Sequence, residues 1–197
     1  MKKTILILTG FILSGIVFDA CKKGANDPFL SLSSRRARLA GEWKMTKWEA
    51  TDTQTNASGM DTWVISGDGT TATESNNGVS SPAYAYAISL SMDKKGGFTE
   101  TMTDASSGTS KTYTDKGQWF FAGKNKELEL KNKEAIIFDI LSSSDASGTD
   151  TYKGISADYI YVIDQLKSKE MIIVTDESGT KANGNSYTTK STMTFTQ

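Results

Sequence analysis

Residues 39–49 read LAGEWKMTKWE, and this run decides the fold. Its apolar residues alternate instead of keeping a helical spacing. Trp43 and Met45 fall on one face of an extended chain and Trp48 and Ala50 on the other, so the apolar phase switches near Thr46 or Lys47. A switch of that kind predicts a β-bulge or a sharp bend, as where a strand turns a barrel corner. Gly41 lets the backbone turn tightly into the strand. Trp43, two residues on, projects to the same face, where its bulk plugs one end of a closed sheet.

Beyond Gly41 no segment holds apolar residues at helical spacing for three turns. The chain carries 2 prolines, 17 glycines and a dense scatter of serine and threonine, a composition of strands and turns. The clearest strand is 83–93, with Tyr84, Tyr86, Ile88, Leu90 and Met92 on one face and Ala83, Ala85, Ala87, Ser89 and Ser91 on the other. Burial of the large set is the only phase that removes much apolar area from water. A hairpin turn at 94–97 leads to a strand at 98–104, with Phe98 and Met102 on one side, and a strand at 111–121 carries Tyr113, Trp119 and Phe121 in one phase. Further strands are expected at 41–51, 60–66, 127–131, 134–141, 157–166, 170–176 and 185–195. The polar stretches 67–81, 142–149 and 177–184 read as loops, the first a long excursion. The expectation is an all-β domain over 35–197, an antiparallel meander of about eight to ten strands forming a barrel or sandwich.

The triplet Gly41-Glu42-Trp43, preceded by residues 33–38 that can form a short helical turn, resembles the start of the lipocalin barrel. A second Gly-x-Trp, Gly117-Gln118-Trp119, stands in the same chain. The resemblance implies a lipocalin-like barrel, with a basic residue of the final strand packed over the first tryptophan. Lys190 is the candidate there, a poorer match to a planar indole than arginine.

Toward the other end, Lys2 and Lys3 precede an apolar run at 4–18 and then Asp19-Ala20-Cys21. This is the pattern of a secretory signal, and the run is shorter than the roughly 20 residues that span a bilayer. A small residue before the only cysteine of the chain resembles a bacterial lipoprotein signal, although Phe18 and Asp19 depart from the usual residues. The resemblance implies cleavage of a signal peptide at 1–20 and fatty acylation of Cys21, which anchors the protein to the membrane through its lipid. Residues 22–34 (KKGANDPFLSLSS) then form a tether. The implied address is the outer membrane of the cell envelope, and Lys22, Lys23 and Asp27 leave its facing open.

The composition excludes much else. A formal net charge of −1 gives no electrostatic footprint for nucleic acid. One cysteine permits no disulfide framework, and the absence of histidine removes the commonest general base and zinc ligand. The acids Asp61, Glu100, Asp115 and Asp139 are spread over separate strands, where solvated outward faces are the expectation. Asp68 between two glycines and the 145–150 segment lack the oxygen-ligand repeat of a calcium loop. No enzyme, cofactor or metal is expected. The aromatic and apolar residues Tyr84, Tyr86, Ile88, Leu90, Met92, Phe98, Met102, Trp119 and Phe121 either line a cavity for a small apolar or amphipathic ligand or fill the barrel. The first alternative makes the protein a binding module. The second makes it a structural or interaction protein acting through its Ser/Thr-rich loops.

Overall fold

The computed structural model describes residues 33–57, 59–127, 129–152 and 159–197. The expected signal peptide, Cys21 and most of the tether lie outside the described residues. The rest is nearly all β, a closed antiparallel ten-strand barrel of the lipocalin-like kind behind one short helix.

The helix, α1 (Arg35–Leu39), begins where the Ser34 hydroxyl accepts a hydrogen bond from the Ala37 amide at 3.1 Å. Five residues are too few to hold a helix in water, so its stability is tertiary. Leu39 is fully buried, and Arg35 and Arg38 donate to the carbonyls of Ile163 and Leu166. The Arg36 Nε donates to the Lys94 carbonyl at 2.7 Å, and its guanidinium lies 4.6 Å from the centre of the Trp119 ring.

The strands are β1 (Gly41–Asn56), β2 (Gly59–Gly67), β3 (Thr71–Asn76), β4 (Val79–Ser80), β5 (Tyr84–Met92) and β6 (Gly97–Asp104). They continue as β7 (Lys111–Phe121), β8 (Ala135–Asp145), β9 (Gly148–Thr151), β10 (Tyr159–Leu166), β11 (Glu170–Thr180) and β12 (Ser186–Thr196). Strand β1 organises the closure. Its first residues, 41–44, pair with β5, its later residues pair with β2, and its opposite edge pairs with β12. Because β8 also pairs with β10, the circuit at the α1 end is β1-β5-β6-β7-β8-β10-β11-β12. At the other end the β2–β3 hairpin enters between β1 and β5, and barrel diameter grows with strand number. The barrel is therefore narrow where α1 closes it and wide at its far mouth. Strands β4 and β9 are short hairpin arms on β3 and β8.

The phase switch in β1 is a bulge. The β1–β12 register shifts between Met45 and Lys47, so Trp43, Met45, Trp48 and Ala50 all reach the interior. The β2–β3 turn lies against it, with Gly69 at φ +89° and its α-carbon so close to the Met45 carbonyl that a side chain has no room.

The narrow half holds the core. Trp43, Met45, Leu90, Met92, Phe98, Trp119, Ile136, Phe138, Ile163, Leu166, Met171, Ile173 and Phe195 pack there on Leu39. Both Gly-x-Trp tryptophans are buried. The Trp43 Nε1 donates to the Leu39 carbonyl at 2.8 Å and the Trp119 Nε1 to the Asp93 carbonyl at 3.1 Å.

Several boundaries differ from the sequence reading. The excursion at 67–81 contains β3 and β4, the 142–149 loop is the β8–β9 hairpin, and β11 runs on to Thr180. Each is a polar stretch at the wide end, where both sheet faces meet water and no apolar alternation marks the strand. The strand expected at 127–131 is instead a turn, with an isolated bridge between Asn125 and Leu130. Lys190 faces outward and pairs with Asp176 at 3.1 Å, both largely exposed, so it does not cover Trp43. Arg36 of α1 does the equivalent packing, on Trp119.

Candidate functional site

The interior is apolar near α1 and becomes polar toward the mouth, because β5, β6 and β7 keep one phase while their residue types change. On β5, Leu90 and Met92 are buried, and the same face continues through Ile88, Tyr86 and Tyr84, which are progressively nearer the mouth. From Leu90 to Tyr84 is roughly 20 Å at the rise of a strand. On β6 the buried Phe98 is followed by Glu100, Met102 and Asp104. On β7 the buried Trp119 is followed by Gly117, Asp115 and Tyr113. The β5–β6 and β6–β7 registers are unbroken, so Glu100 sits between Leu90 and Asp115, and Met102 between Ile88 and Tyr113.

The candidate ligand-lining residues thus fall into two groups. Leu90, Met92, Phe98 and Trp119 belong to the packed floor. Phe121 lies at the α1 end, edge-on to Trp119 with ring centres 5.7 Å apart. Tyr84, Tyr86, Ile88 and Met102 stand above the floor and are only partly buried although they face inward. Trp48 joins them through the β1 bulge. It stacks on Tyr86 with ring centres 4.8 Å apart, and its Nε1 donates to Ser191 Oγ at 3.2 Å. Tyr84 meets Tyr86 edge-on at 6.4 Å.

The expectation of solvated outward carboxylates fails for Glu100 and Asp115, which face each other across β6 and β7 on the interior side. Burial, and then the neighbouring Asp115, push the Glu100 carboxyl up to about 7. The Asp115 Oδ1 is out of contact with solvent and accepts no hydrogen bond. Burial, followed by Asp104 and Glu100, drives the Tyr86 hydroxyl up to about 12, and burial with Glu74 and Asp104 raises Tyr84. The Tyr86 hydroxyl donates weakly to Met102 Sδ at 3.6 Å. Asp139 is also buried, on the opposite face of β8 from Phe138 and Ile140, so it is not part of this set. Asp61 is half-buried and accepts from Asn77 Nδ2 at 2.9 Å. No alternation rule finds Glu100 and Asp115, because a carboxylate on the apolar phase of a strand reads as an interruption.

The two loops weighed for calcium are turns whose carboxylates are already occupied. Asp68 Oδ1 accepts from the amides of Thr70 at 2.9 Å and Thr71 at 2.7 Å, which hold its carboxyl well below the usual range. Asp145 accepts from the amide and hydroxyl of Ser147. Among the described residues no group of three acidic, histidine or cysteine side chains is placed to hold a metal ion.

Grooves also mark the outer wall. One of about 560 Å³ crosses β2, β1, β12 and β11 past Val64, Glu49, Thr192 and Val174, and another of about 390 Å³ crosses β5 to β8 past Thr99, Lys116 and Leu141.

Fold and interior define a lipocalin-like barrel with a packed floor and an aromatic and acidic upper half whose inward side chains are part-buried. No protein-family model, curated protein or solved structure matches the chain.

Proposed function

We propose that this protein is a lipid-anchored binding module of the cell envelope, held to the outer membrane through Cys21 and taking a small amphipathic molecule into the wide half of its barrel. One observation carries this reading. Inward-facing Trp48, Tyr84, Tyr86, Ile88 and Met102 stay partly exposed above a floor that is fully packed. Apolar and aromatic area left wet inside a closed sheet is area that a ligand can cover. The packed floor limits the site to the upper half and excludes a deep apolar channel through the barrel. Aromatic rings and hydroxyls on this wall can orient a ligand with an apolar body and a polar end.

Native mass spectrometry of the protein taken from its own cells tests the reading. A bound small molecule lost on Trp48→Ala is the expected result, and a bare chain in every preparation counts against it. Anchoring is tested separately. Cys21→Ser should leave the domain folded and move it from the membrane pellet to the supernatant after a carbonate wash.

A second reading, an interaction protein with a filled barrel, draws on the outer wall. Phe120 is paired with Ile137, Ile137 with Ile160 and Val162 with Val174 across four neighbouring strands. Phe120 and Ile160 are exposed there.

A further inference from the structure

We infer that the closed end of the barrel docks on an anionic lipid surface, so that the wide end points away from the membrane that holds the anchor. The anchoring part of the reading above brings the barrel to a membrane, and the charges of the barrel orient it there.

Charge is divided between the two ends. At the α1 end residues 122–134 carry the β7–β8 hairpin beyond the sheet, bridged between Asn125 and Leu130, and they present Lys124, Lys126, Lys131 and Lys133. The β5–β6 turn adds Lys94 and Lys95, and the β10–β11 turn adds Lys167 and Lys169. All eight of these lysines are exposed. The same three connections hold four acids, Asp93, Glu127, Glu129 and Glu134, which leaves an excess of four positive charges (eight minus four). Lys131 pairs with Glu134 and Lys167 with Glu170, and among the described residues no ion pair engages the other six. Just inside, α1 supplies three arginines and no acid.

The wide end has the opposite sign. Its turns and strand ends place Asp61, Glu74, Asp104, Asp145, Asp150 and Glu177 against Lys111 and Lys181 among the described residues. Strands β11 and β12, of 11 residues each, set the two ends roughly 30 Å apart once strand tilt is allowed for. The screening length at physiological salt is about 8 Å, so each end meets a charged surface independently of the other.

The chain toward Cys21 leaves the described residues at Ser33, two residues before α1 and thus at the closed end. Twelve positions separate Ser33 from Cys21 (33 minus 21), at most about 40 Å of chain, which lets the barrel meet a membrane by its end or by its flank. The tether therefore sets the distance, and the charges set the orientation. Lysines beside a lipid anchor are drawn to anionic headgroups, and Lys22 and Lys23, next to Cys21, carry the same sign as the closed end. The acidic wide end is repelled by the same surface. A ligand of the wide half then arrives from water rather than out of the bilayer.

The test uses the full chain, acylated at Cys21 by its bacterial host and reconstituted on vesicles of phosphatidylcholine or of phosphatidylglycerol, with lysine acylation by a neutral reagent read by mass spectrometry. On phosphatidylglycerol the labelling of Lys94, Lys126, Lys133 and Lys169 should slow at least about threefold relative to phosphatidylcholine, and the difference should vanish at about 1 M salt. Lys111 and Lys181 should label alike on both. A variant with Lys124→Gln, Lys126→Gln, Lys131→Gln and Lys133→Gln, all at exposed positions, should reduce the slowing at Lys94 and Lys169 by about half or more. Slowing shared equally by Lys111 and Lys181, slowing confined to those two, no difference between the lipids, or a variant labelled like the wild type would overturn the orientation while leaving the anchor standing. Failure of the chain to float with phosphatidylcholine vesicles would remove the anchor instead. The inference would then stand if the chain still floats with phosphatidylglycerol at low salt, and fall if it does not.

Discussion

The two halves of the barrel are made of the same strands, yet they are governed by opposite rules. Below Trp48, strands β1, β5, β6 and β7 place large apolar side chains inside, and the helical turn α1 caps them. Above it the same strands, in the same phase, place tyrosine, tryptophan and carboxylates inside, and these side chains are only part-buried. Two features produce the difference. The β2–β3 hairpin adds two strands to the circuit at the mouth, and barrel diameter grows with strand number. The bulge at Met45–Lys47 then turns Trp48 inward at the border between the halves. The packed core is concentrated at one end, and part-buried aromatic and acidic side chains at the other.

The largest test of that division is a charge in the floor. Leu90 is 3% exposed, so Leu90→Lys should leave no folded protein by circular dichroism, whereas Ser89→Lys, on the exposed outer face, should fold normally. The reverse outcome would invert the phase of β5 and with it both halves. Next in size, Trp43→Ala should cost about 3–5 kcal/mol, the range for deleting a large buried aromatic. Urea midpoints that coincide with wild type would remove Trp43 from its role as the plug.

The wide half should respond to pH instead. Glu100 is raised in the folded state from the ordinary 4.5 to about 7, so the folded protein holds a proton that the unfolded chain has released. Its contribution is complete below pH 4.5 and is lost as pH rises through about 7, a change on the order of 3 kcal/mol. Glu100→Gln should therefore flatten the urea midpoint between these limits and stabilise the protein on the alkaline side. A Glu100→Gln profile parallel to wild type would show that the carboxyl is not buried as described.

Smaller still is Trp48→Ala. The side chain is half-buried and its main partner is one ring, so a loss of about 1–2 kcal/mol is expected from the same urea titration. A cost equal to that of Trp43→Ala would mean that the wide half is packed like the narrow one. Lys190→Ala, which breaks an exposed ion pair with Asp176, should change stability by less than about 1 kcal/mol, and a larger loss would show a packing role that its position does not indicate.

How much of this was legible follows the same border. Residues 83–93 announced their strand and its buried face, and residues 39–49 announced both the plug and the bulge, because those segments meet water on one side and side chains on the other. The strands β3, β4 and β9, the end of β11 and the far part of β8 were hidden. Thr71, Glu74, Ser144 and Thr149 sit where the interior is as polar as the outside, and alternation carries no signal there. Arg36 was invisible as the residue over Trp119, since that contact joins α1 to β7 across the closed end of the barrel.

The sequence by itself determined the all-β class, the antiparallel meander, the inward face of β5 and the place of the bulge, since each follows from local alternation and turn chemistry. Only the tertiary structure decided where the circuit closes, that β1 shares one edge between β5 and β2, and that Glu100 and Asp115 meet inside. Those are questions of register between strands, and register is set by the closure of the whole sheet rather than by any one segment.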